Sequence, residues 1–274
     1  MLRRKTPFVR WTIILVELLG SILCSFYLGA RFGMIYQFQK TMYELPDAEN
    51  ARASIKSLFH LQPSYGQFQQ DLWVALAIGH GKKNGYYVDV GSADGVAISN
   101  TNLLDHMGWK GVCIDPFPTN MQSRTCQVFR QPVFSESGKK VEFRAAGVLG
   151  GIDSTLGKHR DQVSAAPMAE FVTATLDEIL EKAKAPKWID YMNIDVEGAE
   201  YEVLRGFSLD RYSVGAFTIE HNYEVEKRDL IRKLLEAKGY VRVRSWEVDD
   251  WYVHRDLASQ YRTFVNYSSR KWIF

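Results

Sequence analysis

Apolar and polar positions change period repeatedly along this chain. Phe68, Leu72, Trp73, Leu76 and Ala77 recur at helical spacing and predict a helix packed on a folded domain. Residues 86–90, YYVDV, then read as a strand, 98–107 as a helix, 111–114 as a strand, 119–126 as a helix and 127–134 as another strand. KKVEFRAAG, at 139–147, adds a further β segment. Between 148 and 174 the pattern dissolves into a long polar loop containing Gly150, Gly151, Gly157 and Pro167, the kind of segment that forms lids or binding loops. Regularity returns at 175–183, where Thr175 and Glu178 have capping-box spacing at the start of a helix. A strand at 188–195, a helix at 199–207 stopped by Gly206, a strand at 213–221 and a helix at 225–238 closed by Gly239 follow. YVRVRSW and DWYVHR end the series as two neighbouring strands.

Strands alternating with helices imply an α/β fold, with a mostly parallel sheet covered on both faces and a late antiparallel hairpin. At 274 residues and 46% apolar, the chain can bury one sizeable core. A formal charge of +2, with its basic residues scattered, gives no reason to expect a nucleic-acid partner.

The exception to that scatter is Arg3, Arg4, Lys5 and Arg10, which stand directly before the most apolar stretch, WTIILVELLGSILCSFYLGARFGMIY. About 20 apolar residues suffice to span a bilayer, so 11–36 is expected to be a transmembrane signal anchor. A buried amphipathic helix and a cleaved signal peptide are the rival readings. Leu28 stands where cleavage wants a small side chain. The positive-inside bias makes 1–10 a cytosolic tip. It predicts a single-pass type II membrane protein of the secretory pathway, Golgi or ER, with the lipid bilayer as a partner and a lumenal catalytic domain. Residues 37–64, with Pro46 and Pro63, read as a stalk, and 65–274 as the domain. The sequon Asn266-Tyr267-Ser268 is compatible with that side. Of the three cysteines, Cys113 and Cys126 lie in strand-like contexts, where two buried thiols and a disulfide both remain open. There is no cysteine-pair motif and the histidines are dispersed, so no metal centre is expected.

Ligands of open α/β sheets bind beyond the carboxyl ends of the strands. Four such ends carry acids: Asp89, Asp115, Asp195 and Glu220. After Asp89, Gly91 and Gly95 let the chain turn tightly and approach a ligand. The sequence there, G-S-A-D-G, is not the G-x-G-x-x-G of a dinucleotide fold, and GHGKKNG falls before the strand rather than after it. Asp115 suits ribose hydroxyls in either a nicotinamide or an S-adenosylmethionine site. Asp89 suits an ammonium or sulfonium better than a pyrophosphate, which it would repel.

YYVDVGSADG, GWKGVCIDP, IDYMNIDVEGAEYEVLRGF and FTIEHN together resemble the FkbM family of S-adenosylmethionine-dependent methyltransferases, over roughly residues 60–255. D-V-E-G-A-E is the most specific element, and Ala93 departs from the asparagine common in the family. The resemblance implies a Rossmann-like seven-stranded sheet with an antiparallel C-terminal hairpin, and methyl transfer, usually to a hydroxyl oxygen. It places Asp89, Gly91, Ser92 and Gly95 around the methionine part of the cofactor, Asp115 at the ribose and Ser135 at the adenine edge. SYGQFQQDLW would close over the cofactor. Asp195 and Glu197 would hold the cofactor ammonium or the substrate, while a capping role for Glu197 and a packing role for Glu200 are the structural alternatives.

Proton removal from a hydroxyl acceptor needs a base, for which His221, Asp195 and Glu220 are candidates, with Asn222 orienting the acceptor. Asp153, Ser154, His159 and Arg160 in the long loop are candidate substrate contacts. The expected function is a membrane-anchored O-methyltransferase acting on a glycan or another hydroxyl-bearing acceptor. The alternative is an inactive methyltransferase-like membrane protein serving trafficking or interaction, and a nicotinamide-dependent oxidoreductase is a third reading.

Overall fold

Valine, isoleucine and aromatic residues dominate the strands Tyr86–Val90 (β1), Trp188–Ile194 (β7) and Ser213–Glu220 (β8), and nearly every position in them is buried. Burial at consecutive positions, rather than at alternate ones, belongs to parallel strands covered on both faces. The computed structural model describes residues 64–79 and 82–258, all within one compact unit. Lys110–Ile114 (β2) and Gln127–Phe129 (β3) join β1 on one side in parallel, and β7 and β8 continue in parallel on the other. Tyr240–Trp246 (β9) and Asp249–His254 (β10) close the sheet antiparallel, giving the order β3-β2-β1-β7-β8-β10-β9. The chain leaves β1 toward β2 but returns on β1's other side as β7, and the crevice beyond β1 and β7 is therefore a topological switch point.

Helices Leu176–Lys182 (α3), Glu200–Arg205 (α4) and Val225–Ala237 (α5) follow the first-turn helices Gln70–Trp73 (α1) and Asn102–His106 (α2). Leu176, Ile179, Leu180, Val203, Leu204, Ile231 and Leu235 are their core-facing side chains, packed on Val88, Ile114, Met192, Ile194 and Phe217 of the sheet. Thr175 caps α3 by accepting from the Glu178 amide, as its spacing predicts.

Four local expectations change. The helix expected at 119–126 is a single 3₁₀ turn, Met121–Ser123, because the segment offers no apolar stripe and instead buries Arg124. The helix at 98–107 shrinks to α2, with Ile98 in left-handed backbone before it. The strand at 127–134 ends at Phe129. The long polar stretch contains Gly151–Ile152 (β5) and Met168–Val172 (β6), which pair antiparallel with Lys140–Arg144 (β4) in a second small sheet. β6 half-buries Ala169 and Phe171 while exposing Met168 and Val172, so its two-residue period carries little apolar contrast. Of the two readings left open for Cys113 and Cys126, the structure has the disulfide, with Cα atoms 5.8 Å apart; it ties β2 to the approach to β3.

The membrane expectation is corrected. No helix among the described residues is long and apolar enough to cross a membrane. The longest helix among the described residues, α5, has 13 residues; at 1.5 Å per residue it spans about 20 Å, against about 30 Å of hydrocarbon. Residues 1–10, 11–36 and 37–63 lie outside the described residues, as do Cys24 and the sequon. The transmembrane part of the fold class, the bilayer as partner, the type II secretory placement and the membrane-anchored function are not carried further. The glycan as acceptor was drawn from a lumenal compartment and loses its support with it.

Candidate cofactor and acceptor site

Gly91 turns the chain out of β1 at φ +88°, and a β-carbon there would stand 1.6 Å from the carbonyl oxygen of Asp195. Only glycine satisfies both conditions. The Gly91 amide donates to the Ile114 carbonyl at 2.8 Å and the Asp195 amide to the Val90 carbonyl at 2.9 Å, which fixes the ends of β1, β2 and β7 against one another.

Beneath this junction lies a buried polar network. Asp89 accepts from Thr101 Oγ1 at 2.6 Å and from Asn193 Nδ2 at 3.1 Å. Arg124 donates to Thr101 Oγ1 at 2.7 Å and, through Nε, to Asp105 Oδ2 at 2.6 Å, while Tyr87 also donates to Asp105. Burial raises the Asp89 carboxyl above its ordinary value, opposed by Arg124 and these hydrogen bonds. Asp115 accepts from the amides of Phe117 at 2.7 Å and Ala93 at 3.0 Å, so its position is set by the same turn; it too is raised by burial.

The D-V-E-G-A-E segment acquires a physical explanation. Gly198, at φ +115°, lies where a β-carbon would meet the Thr155 carbonyl at 2.4 Å. Glu200 reaches back to accept from the amides of Gly198 at 2.9 Å and Val196 at 3.1 Å, closing the turn from within. Its role is structural. The turn leaves Glu197 in left-handed backbone, φ 57°, with its carboxylate accepting from Asn222 Nδ2 at 3.2 Å and facing His159 Nε2 at 3.9 Å.

Asp89, Gly91, Ser92, Asp115, Asp195, Glu197, Glu220 and Asn222 all line one cavity of ≈ 320 Å³. Ligand oxygens of Asp195, Glu197 and Glu220 lie within 4.8 Å of one another. Burial and the neighbouring carboxylates raise Asp195 and Glu220 well above the usual range, and burial pushes Glu197 up to about 7.

Six sequence-derived candidates do not border the cavity, among them Arg160, whose guanidinium donates to the Asp153 carbonyl. Gly95 abuts the Asn120 carbonyl, Ser135 donates to Glu202 at 2.6 Å, and Asp153 is paired with Arg144. Ser154 is exposed, and His221 Nδ1 accepts from the Tyr223 amide at 3.0 Å while its Nε2 lies 3.8 Å from Asp250. Gln131, Asn193, Asn100 and Lys158 line the cavity without having been singled out, and His159 lines it as a loop residue. Gln131 follows the true end of β3, so the strand-end rule finds it once that strand stops at Phe129 rather than running to 134. Gln67 brings the SYGQF segment to the rim, and Gln70 holds it there by donating to Asp249 Oδ2 at 2.7 Å.

A switch-point cavity ringed by strand-end carboxylates, in a seven-stranded sheet with an antiparallel last hairpin, defines a Rossmann-like methyltransferase. The sequence pattern of the methyltransferase FkbM domain matches residues 89–242, over half of the chain, and the chain belongs to that family. A search of curated proteins finds no match. The protein is accordingly a methyltransferase that uses S-adenosylmethionine. The residues present fit this cofactor: the Gly91 turn brings bare backbone to the cavity, acids suit its two cationic groups, and Ser92 Oγ and Gln131 Nε2 are buried there without a protein partner.

Proposed function

We propose that this methyltransferase acts on a hydroxyl oxygen of a small acceptor that enters beside Asp195, Glu197 and Glu220. The observation that carries the reading is the convergence of Asp89, Asp115, Asp195 and Glu220, from four different strand ends, on one cavity. Asp89, Gly91 and Ser92 would hold the methionine part of the cofactor, with Asp115 at the ribose and Gln131 rather than Ser135 at the base. S-adenosylmethionine held there would supply an electrophilic methyl group on its sulfonium for the acceptor oxygen.

The chain's own part is to align the acceptor and take its proton. His159 is the base in this reading: it lines the cavity, and Glu197 stands opposite its Nε2. Asn222 steadies Glu197 in turn. Asp195 and Glu220 face the acceptor, while His221, turned toward Asp250, positions the end of β8.

Incubating the full chain with a labelled methyl donor and a panel of polyols, phenols, amines and carboxylic acids tests the proposal. O-methyl products are expected, with His159→Gln lowering turnover about 10²–10⁴-fold at unchanged cofactor affinity. Products confined to nitrogen or carboxylate acceptors would overturn it, as would full activity of His159→Gln.

A further inference from the structure

We propose that the Cys113–Cys126 bridge is a redox switch for cofactor affinity. Intact, it holds one wall of the cavity in its binding shape; its reduction by a dithiol loosens that wall while the rest of the domain stays folded. The bridge closes over a segment that includes Asp115 and Pro116, both of which line the cavity. The same segment clamps the turn that follows β1. Thr119 donates its amide to the Ala93 carbonyl at 2.8 Å and its carbonyl accepts from the Gly95 amide at 2.9 Å, while Asp115 accepts from the Ala93 amide at 3.0 Å. Thr119 Oγ1 also donates to Asp94 at 3.1 Å. Near the second cysteine, Arg124 donates to the Gly95 carbonyl at 3.0 Å and to Ser99 Oγ at 3.2 Å. Ala93, Asp94 and Ser99 are themselves cavity residues, so the enclosed segment sets their positions as well as its own.

Little packing holds this segment in place of the bridge. Between 115 and 125 only Pro118 and Arg124 are buried, and the 3₁₀ turn Met121–Ser123 is its one piece of helix. It runs on into β3, an edge strand of three residues with no fully buried position. Segments with so few buried apolar contacts open at a much lower free energy than a core does. Neither cysteine belongs to the main apolar cluster, which joins β1, β7 and β8 to α3, α4 and α5. Breaking the bridge therefore acts on the cavity wall first and on the core second.

The two sulfurs differ in access. Cys113 is fully buried in the β1–β2 ladder opposite Asp89, whereas Cys126 is half-buried. A thiolate of the dithiol attacks Cys126, forming a mixed disulfide as the Cys113–Cys126 bond breaks and Cys113 leaves as a thiolate. The second thiol of the reductant then displaces Cys126. Two electrons have passed from the dithiol, now a cyclic disulfide, to the protein, and the two protons of the dithiol, carried by water, end on Cys113 and Cys126. Because reduction and cofactor binding act on one segment, they are linked: bound cofactor protects the bridge by the factor by which reduction weakens the cofactor. That the clamped turn holds the cofactor rests on the site reading given above.

The test is calorimetry of S-adenosylmethionine on the full chain, oxidised and after equilibration with dithiothreitol, with hydrogen exchange followed in both states. Reduction is expected to weaken binding at least about tenfold and to open the 115–125 amides to exchange while those of β1, β7 and β8 stay protected. Cys126→Ala should bind as weakly as the reduced parent and be indifferent to dithiothreitol. In a redox titration, saturating cofactor should lower the midpoint potential of the bridge by about 30 mV for each tenfold of coupling. Equal affinity in the two states overturns the switch, as does native affinity in Cys126→Ala. Loss of protection throughout the domain on reduction overturns it too, since the bridge would then be a structural staple. Binding by neither state overturns the cofactor site along with the switch, whereas equal binding by both counts against the switch alone.

Discussion

Asn222 donates from Nδ2 to Glu197 at 3.2 Å, and both residues hold left-handed backbone, at φ 46° and 57°. Two strained turns, after β8 and after β7, are thus joined by one buried bond at the cavity wall. Asparagine tolerates this conformation better than most residues; glutamate does not. Asn222→Ala should cost about 1–2 kcal/mol from the lost bond and the backbone together. Asn222→Gly should recover most of that stability but none of the activity, since Glu197 loses its partner in both. Urea denaturation and methyl-transfer rates measured on the pair separate the two effects, and a fully active Asn222→Gly would show that the bond does not serve the site.

Gly91 gives a sharper expectation. Alanine at this position would need a positive φ and would collide with the Asp195 carbonyl. The β1 and β7 ends must then part, so Gly91→Ala should lose more than about 3 kcal/mol and bind no cofactor. A folded Gly91→Ala with native affinity in calorimetry would contradict the close approach.

Arg124 and Asp105 test the floor beneath the cavity. Their side chains are 0% and 4% exposed, and Arg124 reaches Asp89 through Thr101. Removing one partner of such a pair costs about 3–5 kcal/mol, so Arg124→Met should be strongly destabilised by chemical denaturation. Thr101→Val removes the hydroxyl that accepts from Arg124 and donates to Asp89, and leaves the Arg124–Asp105 pair in place. It should leave stability within about 2 kcal/mol of the parent and weaken S-adenosylmethionine binding, a split that a purely structural Thr101 would not show.

The Cys113–Cys126 bridge closes a loop with a sequence separation of 13. Loops of that size contribute about 3 kcal/mol. Under denaturing, non-reducing conditions both cysteines should resist alkylation, and reduction should expose them and lower the unfolding free energy by about that amount. Ready alkylation without reduction would show the bridge is not formed.

The parts legible in the sequence are those with strong local signals. β1, β7 and β8 are strand-forming runs in which nearly every position is buried, α3 announces itself through Thr175 and Glu178, and the four strand-end acids follow from a rule about open sheets. Where the signal is tertiary, sequence reading fails. Arg124 looks like a surface residue of a helix, but it is buried because Asp105, Thr101 and Tyr87 converge on it from other elements. His221 looks placed for catalysis because it follows a strand end, yet strand alternation turns it to the face opposite Glu220. β6 pairs with a strand more than twenty positions earlier, and its own residues carry little of that information.

Asp250 supplies a pH-dependent prediction away from the cavity. Its side chain is 2% exposed and accepts from Arg228 at 2.6 and 2.7 Å and from Arg242 at 3.1 Å. Burial alone would raise its carboxyl, but the two guanidiniums outweigh that and hold it below the ordinary 3.8. For an acid whose folded value is depressed, stability gained from the charged form is complete above the unfolded value and disappears as pH falls through the folded one. Arg228 and Arg242 are themselves 26% and 31% exposed, and screening reduces the gain. Asp250→Asn should therefore cost roughly 2–3 kcal/mol at pH 7, below the ~3–5 kcal/mol of fully buried pairs. In urea titrations from pH 7 downward, the gap between parent and variant should hold until about pH 4 and then narrow as the parent carboxyl is protonated. A gap that stays constant through that range would assign the loss to packing around Tyr252 and β10, and the ion pairs would not be what holds this end of the sheet.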